Sequence, residues 1–154
     1  MTMTATARRR GDTLEHEVDV NGRHLLVTDE PEALGGTDRG PAPHELLPAT
    51  LAACAATTVA MYARKRGWDI GEIAVDADYD PDSIPRRVAL ELRLPDNLTP
   101  EQRRRLERVA KACPARRALE AGFVFEEEPA SVGAQRPTAP PTVPSPDASG
   151  RPAS

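Results

Sequence analysis

The chain has 154 residues, a formal charge of −4 and two cysteines, with charges of both signs interspersed along its length. That balance argues against a nucleic-acid surface, which needs a basic stripe for phosphates to neutralise, and the short run Arg8-Arg9-Arg10 reads as a solvated terminus. No N-terminal apolar stretch forms a signal-peptide core, and no run approaches the ~18 residues needed to span a bilayer, so neither nucleic acid nor membrane is an expected partner and the expected location is cytoplasmic.

Residues 1–12 read as a flexible N-terminus. Leu14 to Val20 alternates apolar and polar residues, Asn21-Gly22 supplies a type I′ turn, and Arg23 to Thr28 continues the alternation, which predicts a β-hairpin. Asp29 to Pro43, with Gly35-Gly36 and Gly40-Pro41, reads as a loop long enough to be functional.

Glu45 to about Arg66 is the least polar segment. Its alanines favour a helix, Arg64, Lys65 and Arg66 complement the dipole at its end, and Gly67 closes it. A helix apolar almost all round belongs inside the fold, so Cys54, near its middle, is expected to lie deep. Two half-buried strands follow, around Ile73–Tyr79 and Val88–Leu94. Thr99-Pro100-Glu101-Gln102 is a capping box opening a helix that turns Leu106, Val109 and Ala110 inward and ends near Ala112. Cys113-Pro114 begins a short helix ended by Gly122, and Phe123 to Glu128 reads as a last strand. From Pro129 to Ser154 the chain is Pro/Ala/Ser-rich with no periodic apolar pattern, and reads as a disordered tail. The order β-β-α-β-β-α-α-β predicts an α+β domain over 13–128.

In a reducing compartment two cysteines are either inert packing residues or redox-active ones. Cys113 stands at a helix cap, where free amides and the dipole favour its thiolate, with Arg116 and Arg117 close behind. Cys54 stands mid-helix among alanines and needs a cation imported from elsewhere. His16, His24 and His44 show no metal-ligand spacing, and no glycine-rich phosphate loop or serine nucleophile elbow is present.

Asp29-Glu30-Pro31, Gly35-Gly36, the run Gly40-Pro41-Ala42-Pro43-His44-Glu45-Leu46-Leu47, the Leu51-Ala52-Ala53-Cys54 helix and the segment from Lys111-Ala112-Cys113-Pro114 to Leu119 together resemble the OsmC/Ohr family over roughly residues 14–128. The resemblance implies an antiparallel sheet, a long buried central helix carrying the first cysteine, and an intertwined homodimer with its active sites at the subunit interface. It also implies thiol-dependent reduction of organic hydroperoxides in oxidative-stress defence. Cys54 then matches the attacking cysteine that becomes a sulfenic acid, and Cys113 the one that resolves it to a disulfide. An external dithiol such as dihydrolipoamide, free or on a lipoylated protein, restores both, and no bound cofactor or metal is implied.

In that family an arginine from the loop region, held by a glutamate, stabilises the first thiolate. Glu45 and Arg39 are the matching candidates, with Arg23 and Arg10 as other possible arginines; the usual glutamate slot is His44, and Glu45 comes one residue late. On a regular helix Glu45 lies opposite Cys54 unless Pro48 starts or kinks the helix. The competing reading is a non-catalytic member of the same fold that binds a small apolar ligand or senses redox state.

Overall fold

A computed structural model describes residues 2–126 of the chain, so the tail expected over 129–154 lies outside the described residues. The chain divides into a unit ending at Ala42 and a unit beginning at Pro43.

The first unit is a three-stranded antiparallel sheet of β1 (Ala5–Arg9), β2 (His16–Val20) and β3 (His24–Thr28), in that order. Asn21 and Gly22 both take positive φ, and the Val20 carbonyl accepts from the Arg23 N–H, as the turn dipeptide predicts. Strand β1 corrects the expectation of a flexible N-terminus. Ala-Thr-Ala-Arg-Arg carries no apolar alternation, and its pairing with β2 (Ala5 opposite Val20, Arg9 opposite His16) supplies the order instead.

The loop after β3 is tied down at Asp29. This buried carboxylate accepts hydrogen bonds from the Glu30, Thr37 and Arg39 N–H groups and the Thr37 hydroxyl, at 2.7–3.3 Å. Those donors, led by the Thr37 hydroxyl, hold its pKa down at about 2. Gly36 packs so closely on the Glu30 carbonyl that a Cβ there would stand 1.8 Å from its oxygen.

The second unit is built on α1 (Leu46–Arg66), which follows a 3-10 turn over Pro43–Glu45. Pro48 falls inside the first helical turn, where a missing N–H costs no hydrogen bond, so it neither starts nor interrupts the helix. Leu51, Ala55, Val59 and Ala63 recur every four residues on the buried face, which packs on β4 (Ala74–Asp80) and α2 (Pro100–Ala110). By length and composition this helix could cross a bilayer, contrary to the expectation that no run is long enough, yet that stripe serves as core.

β4 pairs antiparallel with β5 (Arg87–Arg93), placing Val75 opposite Leu92 and Ala77 opposite Leu90. The capping box of α2 closes as read: Thr99 Oγ1 accepts from the Gln102 N–H and Gln102 Oε1 accepts from the Thr99 N–H. Val59, Ala63, Ile70, Leu98 and Leu106 form the core. Burying Leu106 and Val59, both at 0% exposure, contributes roughly 1.5–3 kcal/mol each.

α3 (Pro114–Ala121) ends at Gly122 with φ 78°. Beyond it, Phe123 to Glu126 form no strand, and Phe123, Val124 and Phe125 are exposed; the residue types favour a strand, but a strand needs a paired edge and none lies beside it among the described residues. The architecture is α+β with antiparallel sheets, as the order of elements predicts.

Candidate active site

The two cysteines, remote in sequence, meet at the N-terminus of α3. Pro114 occupies the first helical position, where its lack of an N–H costs nothing, and Cys113 is the N-cap with extended backbone (φ −61°, ψ 139°). Its sulfur accepts from the Arg116 N–H at 3.4 Å, while the Cys54 sulfur, arriving from α1, accepts from the Ala115 N–H at 3.5 Å. Two successive amides of one helix end thus hold the two sulfurs.

These bonds answer how a mid-helix cysteine is assisted. The help comes from free amides of a neighbouring helix, whose N-terminal dipole favours negative charge. Cys54 is partly exposed, contrary to its expected depth, because the second unit covers only one side of α1; Cys113 is completely buried. Burial is the main cause that raises the Cys113 thiol above the ordinary range, the Arg116 amide opposes it, and the neighbouring Cys54 sulfur raises it further. The cap alone predicts an acidic Cys113 thiol; in the structure desolvation outweighs the cap.

Glu45 and Arg39 fare differently. Glu45 is exposed and ends the 3-10 turn; nine residues of helix separate it from Cys54, roughly 13 Å of rise and half a turn of rotation, which places it away from the sulfur. Arg39 belongs to the first unit, where its guanidinium lies 3.5 Å from the buried Glu15 carboxylate, which Arg10 also approaches at 3.6 Å. His44 sits edge-on to the Tyr79 ring, with centroids 6.5 Å apart. Among the described residues no cluster of His, Cys, Asp and Glu could hold a metal ion.

A cavity of about 710 Å³ is walled by Leu51 and Ala55 of α1, Val75 and Leu90 of the sheet, and Arg116 and Leu119 of α3; neither cysteine lines it. Leu51 and Ala55 flank Cys54 in sequence, so an apolar molecule lying there is close to its helix turn. Arg116 contributes in two ways: its amide binds the Cys113 sulfur, and its guanidinium, braced by Glu120 at 2.7 Å, lies on the cavity wall. The cavity and the Ala115 amide escape sequence reading because both arise only from tertiary packing.

The family profile described as OsmC-like protein matches residues 36–128. Among solved structures, the chain is similar to a protein from Psychrobacter arcticus 273-4 (24% identity over 76% of this chain and 87% of that one, TM-score 0.63). It is similar also to an OsmC-like protein from Mycoplasma pneumoniae (18%, 78% and 88%, 0.63). A third is an organic hydroperoxide resistance protein from Legionella pneumophila (22%, 77% and 89%, 0.56). No curated protein matches the chain.

Proposed function

Because the chain belongs to the OsmC-like family, we propose that it is a thiol-dependent peroxidase reducing organic hydroperoxides in oxidative-stress defence. The observation that carries this reading is the seating of both sulfurs on the adjacent Ala115 and Arg116 amides.

Cys54, the more accessible sulfur, attacks the outer oxygen of the hydroperoxide as thiolate. The O–O bond breaks, the hydroxyl stays on sulfur as a sulfenic acid, and the departing alkoxide takes up the proton released when the Cys54 thiol ionised and leaves as an alcohol. The Ala115 N–H faces the charge of the starting thiolate. The buried Cys113 thiol then attacks the Cys54 sulfur, its proton leaves with the hydroxyl as water, and a disulfide forms. Its raised pKa suits this second role, because a thiol that keeps its proton does not compete for the peroxide. An external dithiol of the dihydrolipoamide kind, free or on a lipoylated protein, returns both thiols by exchange, and no bound cofactor takes part.

The reading includes a homodimer. Ala53, Thr57, Ala60 and Met61 of α1 are exposed on the side away from the core, a small-residue face that supports close helix packing in a second copy, and completion of the site by that copy leaves Arg39 and Glu45 as candidates for orienting the thiolate. The reading also places the protein in the cytoplasm, where dithiol reductants are available.

Replacing Cys54 by Ser tests it: the variant loses dithiol-dependent consumption of cumene hydroperoxide, and a variant that matches the wild type overturns the assignment. The cavity favours a second reading, binding of a small apolar ligand with the thiols as packing. In that case neither cysteine of the folded protein reacts near neutral pH and mild peroxide forms no disulfide.

A further inference from the structure

Cys113 serves two partners with one sulfur. It is the N-cap of α3, accepting the Arg116 N–H at 3.4 Å, while the neighbouring Ala115 N–H is taken by the Cys54 sulfur at 3.5 Å. Two amides that open this helix therefore depend on thiols rather than on oxygen acceptors. Little else holds α3. It is eight residues long, which is marginal for a helix by itself, and none of its residues is buried. Only Ala115 and Arg116, the two residues whose amides meet sulfur, are even half-buried. Past Gly122, Phe123, Val124 and Phe125 are exposed and add no buried side chain.

A bond between the cysteines makes a different demand on the same sulfurs. In this structure both are free thiols, each oriented by its amide. A disulfide requires the sulfurs to close to about 2 Å, and that bond, not the amides, then fixes where both lie. Contacts of 3.4 and 3.5 Å have little reach to spare, so each sulfur, drawn towards the other, leaves the N–H it holds. The new bond also ties the cap position to α1, but the tether ends at Cys113 and fixes none of the helical residues from Pro114 onwards.

We propose that α3 is a redox-gated wall: closing the Cys54–Cys113 disulfide uncaps the helix, and its loosened first turn opens the side of the cavity formed by Arg116, Leu119 and Glu120. This rests on the disulfide of the peroxidase reading and adds a change of shape to it. Two thiols give one S–S bond, and two electrons and two protons pass to the oxidant, a hydroperoxide in turnover or diamide in vitro. The gate serves the return step. Cys113 is completely enclosed in the reduced chain, whereas thiol–disulfide exchange depends on access to the sulfurs. A loosened α3 uncovers Cys113 only while the disulfide exists, and recovery of both thiols restores the caps and closes the wall.

Hydrogen–deuterium exchange of the full chain, reduced or oxidised by diamide, tests the gate without peroxidase turnover, with intact mass reading the loss of two hydrogens. Peptides covering 114–121 exchange about tenfold faster in the oxidised chain, the effect of losing two first-turn acceptors, while peptides covering α2 exchange equally in both states. Trypsin likewise cuts faster after Arg116 and Arg117 in the oxidised chain. Cys113→Ser, which keeps a cap oxygen and cannot form the bond, shows no change on treatment with diamide. Equal or slower exchange over 114–121 after oxidation overturns the proposal and leaves the peroxidase reading standing. Faster exchange in the treated Cys113→Ser chain, or a loosening spread equally over α2, does the same. A chain in which diamide forms no Cys54–Cys113 disulfide overturns both.

Discussion

Cys113 has two separable duties, and two substitutions part them. As N-cap of α3 it accepts the Arg116 N–H at 3.4 Å, and as the buried partner of Cys54 it closes the disulfide. Cys113→Ser keeps a cap acceptor at the same position, since serine is among the preferred N-cap residues. Cys113→Ala removes the acceptor and leaves the Arg116 amide buried without it. The difference between the two variants is therefore the cap itself, about 1 kcal/mol, or roughly 4 °C in Tm for a domain of this size. Neither variant can form the disulfide, so both stop after one turnover with Cys54 held as sulfenic acid, which dimedone labels. Thermal unfolding monitored by circular dichroism reads the first duty, and mass spectrometry after one equivalent of cumene hydroperoxide reads the second. Equal Tm values would refute the cap geometry, and continued turnover by Cys113→Ser with a monothiol-free dithiol assay would refute the resolving role.

Asp29 gives a pH signature. Its folded-state pKa of about 2 lies below the ordinary 3.8, so the stability it contributes is present above about 4 and lost as pH falls towards 2; Asp29→Asn lowers stability near neutrality and flattens the acid limb of a denaturation series over that window. For Cys113 the sign is the reverse: its raised pKa contributes stability that is complete below pH 9.0 and declines as pH rises beyond it, so Cys113→Ser unfolds with a shallower alkaline limb. Leu106→Ala empties a fully buried site between α2 and α1 and costs about 2–5 kcal/mol in urea unfolding. Gly36→Ala forces a Cβ to within 1.8 Å of the Glu30 carbonyl oxygen, and faster proteolysis of the loop over 29–40 is the expected result.

The parts of the fold legible in the sequence are those set by local chemistry. Asn21-Gly22 adopts the two positive φ values its residue types favour, Thr99 and Gln102 close their reciprocal cap, and Pro114 opens α3 with Cys113 before it. What depends on partners was misjudged. β1 has no strong periodicity of its own and is a strand because β2 lies beside it, whereas Phe123 to Phe125 has strand-favouring residues but no paired edge among the described residues. A helix apolar all round predicts a deep Cys54, yet the other elements of its own unit cover only one side of that helix.

The site follows the same rule. The identity of both cysteines could be read from their motifs, but not the amide that assists Cys54, because Ala115 is sixty-one residues away in the chain and reaches that sulfur only through the packing of α3 on α1. Nor could the balance at Cys113 be read locally: the cap is visible in Cys113-Pro114, whereas the burial that outweighs it is a property of the folded unit.

The central claim is that Cys54 and Cys113 are a peroxide-driven redox pair. Its most direct measurement is intact-mass and peptide analysis of the reduced wild-type chain after titration with one equivalent of an organic hydroperoxide. The account predicts the loss of two hydrogens and a peptide pair joined through Cys54 and Cys113, reversed by dihydrolipoamide. A chain that keeps both thiols alkylatable, or that oxidises only through links between random copies, would contradict it.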